Sequence, residues 1–184
     1  MTAHSLPELI RRQAERSPGA IAILAPGRKP LSYARLKAHV DEVVQTLGQW
    51  GVGRNDRIAV VLPDGPEMAV ASIALASCAT CAPLHPSYRT NEFDVHLSDL
   101  NCKALLVQRG SASPAIAVAQ ARGIPIIELT PSGDAEAGIF TLQGSPLGAP
   151  PPRLGFAAAE DVALALHTSG TTARPKLARR LQRA

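Results

Sequence analysis

Near residue 168, four hydroxyl side chains and a glycine directly follow an apolar segment, and a lysine comes four residues later. The apolar segment, Val162–Leu166, is short and predicts a buried strand. A loop that opens at the end of such a strand can turn its backbone N–H groups into an anion-binding nest. Lys176 adds a mobile point charge suited to a polyphosphate. We interpret the loop as a candidate phosphate-binding site formed by Thr168, Ser169, Gly170, Thr171, Thr172 and Lys176.

Two alternatives stay open for this segment. The loop differs from the common G-x-x-x-x-G-K-[ST] motif, because Pro175 precedes the lysine and no Ser or Thr follows it. The simpler interpretation of the loop is a solvated Ser/Thr turn that ends the strand. His167 directly precedes the loop. It is either a partly buried residue at a strand end or a residue that contacts substrate or nucleotide.

The elements that must position this loop alternate between strands and helices. The strongest periodicity marks a helix after Ser32, with apolar residues at Leu36, Val40, Val43, Val44, Leu47 and Trp50. Short apolar segments predict strands at Ala20–Ala25, Arg57–Leu62, Cys81–Leu84, Ala104–Val107 and Ile124–Leu129. Further helices are predicted after Ser5, over Glu67–Ala79, over Thr90–Leu100 with Phe93, Val95, Leu97 and Leu100 inward, and over Pro114–Arg122. This alternation predicts an α/β fold with a mostly parallel sheet.

The composition changes after residue 130, where Pro, Gly, Ser and Ala dominate and only Gly138–Leu142 resembles a strand. A long connection with so little structure is uncommon inside a compact domain. The sequence therefore predicts a first α/β subdomain at 1–130, a connection at 131–160, a strand and loop at 161–178 that open a further part, and a basic tail at 179–184.

Composition excludes several classes of protein. The chain has 184 residues, of which 46% are hydrophobic and 18% charged, which excludes a disordered tail protein. Its start has no apolar signal segment, and Met68–Leu84 is too polar and too short for a membrane span. Three cysteines cannot all pair, so we expect a cytoplasmic protein with reduced thiols.

Two other functions have weaker support. Cys78, Cys81, His85, His96 and Cys102 could form a metal or redox cluster, but Cys78 and Cys81 flank a helix end and a strand start, where small apolar residues pack. No metal site is therefore expected. Nucleic-acid binding needs a basic stripe or stacking aromatics, whereas the six aromatics are scattered.

The loop, together with upstream segments, resembles the adenylate-forming superfamily of acyl-CoA synthetases, nonribosomal peptide synthetase adenylation domains and beetle luciferases. The segment from His167 to Lys176 is similar to the phosphate-binding signature of that family. The upstream segments that resemble it in order and spacing are Leu31–Leu36, Gly51–Val60, Leu62–Glu67, Ala82–Pro86 with Asn91 and Glu92, and Ala104–Val107. The likeness covers essentially Leu6 to Leu177.

The resemblance implies ATP-dependent activation of a carboxylic acid, followed by transfer of the acyl group to a thiol such as coenzyme A. It implies that the loop steadies the β- and γ-phosphates of ATP with Mg²⁺ present. The family usually has glycine where this chain has Ala173, which would cost about 1 kcal/mol if the backbone there is left-handed.

The family continues well past this loop with the acid pocket and a C-terminal domain. We therefore expect an N-terminal fragment of an acid–thiol ligase that is not catalytically competent alone. Three alternatives stay open: a fragment of a peptide synthetase adenylation domain, a non-catalytic remnant that acts as a binding or dimerisation module, and an interrupted coding sequence. An uncovered sheet would favour self-association.

The formal charge of +4 does not indicate a nucleic-acid partner. Three of the 19 basic residues, Arg179, Arg180 and Arg183, fall within the last six positions. The basicity is thus concentrated where the resemblance is expected to end.

Overall fold

The computed structural model describes residues 4–148, 153–168 and 176–183. Within these residues the helices are α1 (Leu6–Arg16), α2 (Tyr33–Gln49), α3 (Pro66–Ala76), α4 (Thr90–Leu100) and α5 (Pro114–Ala121). The strands are β1 (Ile21–Ile23), β2 (Leu31–Ser32), β3 (Arg57–Val61), β4 (Thr80–Pro83), β5 (Ala104–Gln108), β6 (Ile126–Pro131), β7 (Phe140–Gln143), β8 (Val162–Thr168) and β9 (Lys176–Leu181).

Seven strands form one sheet in the order β7-β6-β5-β3-β4-β8-β9. The five central strands are parallel, and β7 and β9 pair antiparallel at the two edges. Strands β1 and β2 form a separate antiparallel pair. The α/β fold with a mostly parallel sheet is therefore confirmed.

Helices cover the sheet on both faces because the central strands are apolar along their whole length. Ile58 and Val60 of β3 face a cluster with α2 and α3, while Ala59 and Val61 face a second cluster with α4 and α5. The helix that follows β3, α3, therefore lies on one face of the sheet, and the helix that follows β4, α4, lies on the other face. In open α/β sheets, ligands bind beyond the carboxyl ends of the strands where the connections change sides in this way.

The predicted helices and strands agree with the structure to within a few residues. Ser32 caps α2, since its side-chain oxygen accepts a hydrogen bond from the Arg35 N–H at 3.3 Å. Ser5 precedes α1 without a side-chain capping bond. None of the helices in the described ranges is long and apolar enough to cross a membrane.

One predicted inward residue is wrong. Val95 is 45% exposed, whereas His96 is 6% exposed and takes the inward position on α4. The reason is helical spacing: the buried residues Phe93, His96, Leu97 and Leu100 follow one another at three, one and three residues, and Val95 lies off that face.

The end of the chain also differs from the expectation. Arg179 and Arg180 belong to β9 and pair with Ala165 and Leu164 of β8, so they are not part of a separate tail. The sheet combines strands from both sides of the Pro- and Gly-rich connection. The remaining division of the chain into parts stays a prediction.

Hydrogen bonds hold β8 and β9 against the rest of the sheet. Asp161 is 2% exposed; it accepts from Arg54 Nε and, at 2.8 Å, from Asn55 Nδ2, both in the loop before β3. Gln182 accepts from the Leu6 N–H at 3.1 Å and donates to the Ala76 carbonyl. These hydrogen bonds therefore hold the start of β8, the strand that leads to the candidate loop.

Candidate functional site

The carboxyl ends of β4 and β8 lie side by side in the sheet. Cys81 and Leu164 are partners in the parallel register, and the Thr80 hydroxyl donates to the Val162 carbonyl at 2.9 Å. The chain leaves β4 through a loop that leads into α4. Residues from this loop, from α4 and from the end of β8 therefore meet at one edge of the sheet.

The candidate phosphate loop connects β8 to β9. Thr168 and Lys176 are opposite each other in the antiparallel register, and His167 is opposite Leu177. Both ends of the loop are thus held by strand pairing. Ser169, Gly170, Thr171 and Thr172 lie outside the described residues, as do the side chains of Thr168 and Lys176. The assignment of these residues to phosphate binding stays a prediction.

An aromatic cluster lies beside the end of β8. The ring centroids of His96 and His167 are 4.2 Å apart with an interplanar angle of 58°. Tyr88 stacks on the other imidazole, His96, at 4.8 Å and 20°. Tyr88 also contacts Phe93 edge-on at 5.8 Å, and His85 lies 5.9 Å from the Tyr88 ring. We call His85, Tyr88, Phe93, His96 and His167 the histidine–tyrosine cluster.

The two central imidazoles have polar atoms without partners. Both ring nitrogens of His167 and Nδ1 of His96 are buried and have no hydrogen-bond partner among the described residues. Burial lowers the pKa of both histidines. The neighbouring His96 lowers the pKa of His167 further, while Asp99 acts in the opposite direction on both. Both rings are therefore neutral near pH 7.

The sequence indicated part of this arrangement. It singled out His167 and included His85 and His96 in a hypothetical metal cluster, but it did not place Tyr88 or His96 beside His167. The usable signal was the spacing of α4, because His96 falls between Phe93 and Leu97 on the inward face. Whether α4 contacts β8 depends on the order of the strands in the sheet, and the spacing of residues within α4 does not reveal that order.

The cysteines are in different surroundings. Cys78 and Cys81 belong to the core cluster that faces α2 and α3, and burial raises the pKa of each thiol to about 12. The pKa of Cys102 is also raised by burial. In the part of the chain that the structure describes, no three His, Cys, Asp or Glu residues are placed to hold a metal ion. Cys78 and Cys81 thus have the character of buried apolar residues, and Cys102 is partly buried.

At this edge, strand pairing holds Thr168 opposite Lys176, and the neighbouring imidazoles have buried nitrogen atoms without a hydrogen-bond partner among the described residues.

The comparison with protein families fits this geometry. The model of the family described as "AMP-binding enzyme" matches residues 10–182. The chain belongs to that family. The match extends to Gln182 and so includes Arg179 and Arg180, beyond the expected limit at Leu177.

Known relatives are much longer than this chain. A probable CoA ligase CCL9 from Humulus lupulus is 36% identical over 94% of this chain and 33% of its own length. The oxalate–CoA ligase of Arabidopsis thaliana is 29% identical over 96% of this chain and 35% of its own. A probable non-canonical nonribosomal peptide synthetase, CymA from Salinispora arenicola, is 34% identical over 54% of this chain and 1% of its own length. The chain therefore spans about a third of the CoA ligases it matches.

The fold is shared with a solved structure, ATP-bound MatB from Rhodopseudomonas palustris. The TM-score is 0.75 at 24% identity, and the match covers 98% of this chain and 35% of MatB. This likeness shows that the two proteins share the fold.

Proposed function

We propose that this chain supplies the triphosphate-binding part of an ATP-dependent carboxylic acid–coenzyme A ligase. The observation that carries the proposal is the β8–β9 pairing, which holds the segment from Thr168 to Lys176 at the carboxyl edge of a parallel sheet. Family membership, the CoA ligases among the relatives and the ATP in the MatB structure support it.

The proposed reaction has two steps. A carboxylate oxygen attacks the α-phosphorus of ATP, and pyrophosphate leaves as the acyl-adenylate forms. The thiolate of coenzyme A then attacks the acyl carbonyl, and AMP leaves. In the first step negative charge accumulates on the departing pyrophosphate, so donors aimed at the β- and γ-phosphates stabilise the transition state.

The residues of this chain act on the leaving group. Backbone N–H groups and hydroxyls of Ser169, Thr171 and Thr172 would bind the terminal phosphates, and Lys176 would neutralise part of their charge. Strand pairing of Thr168 with Lys176 holds the two ends of this segment at the carboxyl edge of the sheet, which supports the proposal.

Mg²⁺ and coenzyme A have no assigned residues here. The described residues contain no group of three or more His, Cys, Asp or Glu side chains placed to hold a metal ion. The relatives are about three times as long as this chain, and we expect the chain alone to bind ATP without completing the ligation.

Competition between ligands tests which part of ATP is recognised. We expect ATP to bind the chain in calorimetry, tripolyphosphate to displace it, and adenosine to leave its affinity unchanged. Displacement by adenosine with no effect of tripolyphosphate would contradict a phosphate site. ATP–pyrophosphate exchange with a panel of acids measures competence, and exchange above background would contradict the expectation that the chain is inactive alone.

The panel of acids also distinguishes amino acids from simple carboxylic acids as substrates. Exchange promoted by amino acids instead of simple carboxylic acids would indicate a peptide synthetase adenylation domain.

A binding or dimerisation module is the other candidate function. Its structural basis is that β7 and β9 are the two edges of the sheet in the described residues. The exposed Arg179 and Arg180 on β9 disfavour edge pairing between copies, since like charges would meet. Light scattering tests this candidate: a stable dimer without ATP binding would favour it over the ligase part.

A further inference from the structure

A cavity of about 270 Å³ lies over the amino-terminal half of β8, away from the candidate phosphate loop. Ligand pockets for drug-sized molecules are larger, at about 300–1,000 Å³, so this cavity suits a small ligand. Its walls come from β3, β4, β8 and β9 and from the loops that precede β3 and β8. The lining residues that matter for its chemistry are Asn55, Arg57, Thr80, Glu160, Ala165 and Arg179.

Strand alternation places the two arginines of the cavity on one face of the sheet. Ala59 and Val61 of β3 pack in the cluster with α4 and α5, so Arg57, two residues before Ala59, belongs to the same face. Ala165 of β8 is also part of that cluster, and Arg179 is its partner on β9. Both arginines therefore lie on the face that carries α4 and α5.

The two arginines stand on the outer strands of the cavity. In the sheet, β4 and β8 lie between β3, which carries Arg57, and β9, which carries Arg179. Three strand spacings of about 4.8 Å separate the two backbones by about 14 Å, so two long side chains that reach inward can close on a small ion. Ala165 has only a methyl group and leaves room beside Arg179.

The cavity has an excess of positive charge. Within the described residues, no carboxylate lies at ion-pair distance from Arg57 or Arg179. Arg57 donates from Nη1 to the Leu100 carbonyl at 2.6 Å, and its other side-chain N–H groups make no hydrogen bond to the described residues. The acidic residue at the cavity, Glu160, is 71% exposed and lies 3.6 Å from Arg54, so solvent and a neighbouring cation screen its charge.

The other polar side chains of the cavity already have partners. Asn55 donates to Asp161 at 2.8 Å and accepts from the Val162 N–H at 2.8 Å. The Thr80 hydroxyl donates to the Val162 carbonyl at 2.9 Å. These bonds hold the walls of the cavity in place, and the guanidinium groups remain as the donors available to a ligand.

We propose that this cavity binds a small oxyanion between Arg57 and Arg179. Guanidinium groups match the oxygens of phosphate and carboxylate groups through paired N–H donors. The site is separate from the phosphate loop, because Arg179 follows Lys176 by three residues on β9, which is about 10 Å along the strand. A bound anion joins the edge strand β9 to the central strand β3 and thereby stabilises the folded chain.

The oxyanion can belong to a phosphate or to a carboxylate, so inorganic phosphate and oxalate are titrated separately. Calorimetry at pH 7.2 and a constant ionic strength of about 0.15 M gives each Kd. We expect saturable binding, and the ligand with the lower Kd identifies the source of the oxyanion. At about one hundred times its Kd, that ligand should raise the midpoint of thermal unfolding by about 5–10 °C.

Variants of the two arginines locate the binding. R179Q and R57Q should each raise the Kd at least about tenfold, because a charge-assisted contact is removed. R180Q is the matched control: Arg180 is exposed on the same strand, but its partner Leu164 packs on the side of α2 and α3. R180Q should change the Kd less than about twofold. Because Arg179 is exposed, R179Q decides the test even if R57Q, which loses the bond to Leu100, does not fold.

Three outcomes would overturn the proposal. These are no saturable binding of either anion, an equal loss of affinity in R179Q and R180Q, and a loss in K176A with none in R179Q, which would place the anion at the phosphate loop. The proposed function fails separately, when ATP does not bind or its binding is indifferent to Lys176. Phosphate or oxalate binding that depends on Arg179 would support the cavity site in either case.

Discussion

Thr168 and Lys176 face each other across the antiparallel pair of β8 and β9, at the carboxyl edge of the parallel sheet. Their pairing brings the two ends of the candidate phosphate loop together beside the end of β4. Strand pairing thereby fixes the two ends of this hydroxyl- and glycine-rich segment, whatever the segment binds. The stability of the β8–β9 pair should then control function at this edge.

The side chain of Gln182 joins three parts of the chain. It bonds the first residue of α1 and the last carbonyl of α3, and it is 7% exposed. Gln182→Ala leaves the Leu6 N–H and the Ala76 carbonyl without this partner. We expect the free energy of unfolding in urea to fall by about 1–3 kcal/mol. Arg183→Ala, an exposed neighbour, is the control, and equal losses in both variants would contradict the role of Gln182.

Asp161 fixes the start of β8. Burial alone would raise its pKa, but hydrogen bonds from Arg54, the Ala158 N–H and Asn55 lower it overall. Asp161→Asn removes the charge that pairs with Arg54, and we expect a loss of about 2–4 kcal/mol in urea unfolding. Glu160→Gln changes a neighbouring carboxylate that is 71% exposed and should cost far less. A similar cost for both variants would contradict a structural ion pair at Asp161.

Gly138 lies where only a glycine fits. Its φ is +87°, and an added Cβ would lie 2.8 Å from the Pro66 carbonyl oxygen at the start of α3 and would overlap the Val70 side chain. We expect Gly138→Ala to lower the midpoint of thermal unfolding strongly, with a loss of about 2–4 kcal/mol. A Cβ at Gly133 meets nothing within 4 Å, so Gly133→Ala should be nearly neutral. Equal effects would show that α3 does not pack against this turn.

Stability should decrease when the solution becomes mildly acidic. Burial lowers the pKa of His39, His96 and His167 in the folded protein. These histidines therefore bind protons near pH 6.5 in the unfolded chain but not in the folded chain. Each proton that the unfolded chain binds lowers the free energy of unfolding. The free energy of unfolding should fall from pH 7.5 to 5.5 by up to about 1.4 kcal/mol per pH unit for each histidine.

Urea unfolding at three pH values checks this dependence. His96→Phe should reduce the slope, because one of the buried neutral imidazoles is removed. A free energy of unfolding that stays constant between pH 7.5 and 5.5 would show that these histidines are protonated equally in the folded and unfolded chain.

The sequence predicted the elements more successfully than the contacts between them. The apolar spacing after Ser32 predicted α2, and the strand–helix alternation predicted the parallel sheet, because both follow from local periodicity. The sequence did not predict β9, whose three basic residues, Lys176, Arg179 and Arg180, do not resemble a buried strand but suit an edge strand.

The site was predicted in pieces for the same physical reason. The loop and His167 were identified from residue types at one place in the chain. Contact between His96 and His167 requires that β8 pair with β4 across a separation of more than 80 residues, and this pairing depends on the whole sheet. Residue spacing within one element cannot reveal such a contact.

Calorimetry of ATP binding to the Lys176→Ala variant tests the central claim most directly. At pH 7.2, ATP should bind the wild-type chain, and the Kd should rise at least about tenfold in Lys176→Ala, as expected when one charge-assisted contact to phosphate is removed. Arg183→Ala, which removes an exposed positive charge beyond the opposite end of β9, should change the Kd less than about twofold. Equal affinity of wild type and Lys176→Ala, or no ATP binding by the wild type, would contradict the account.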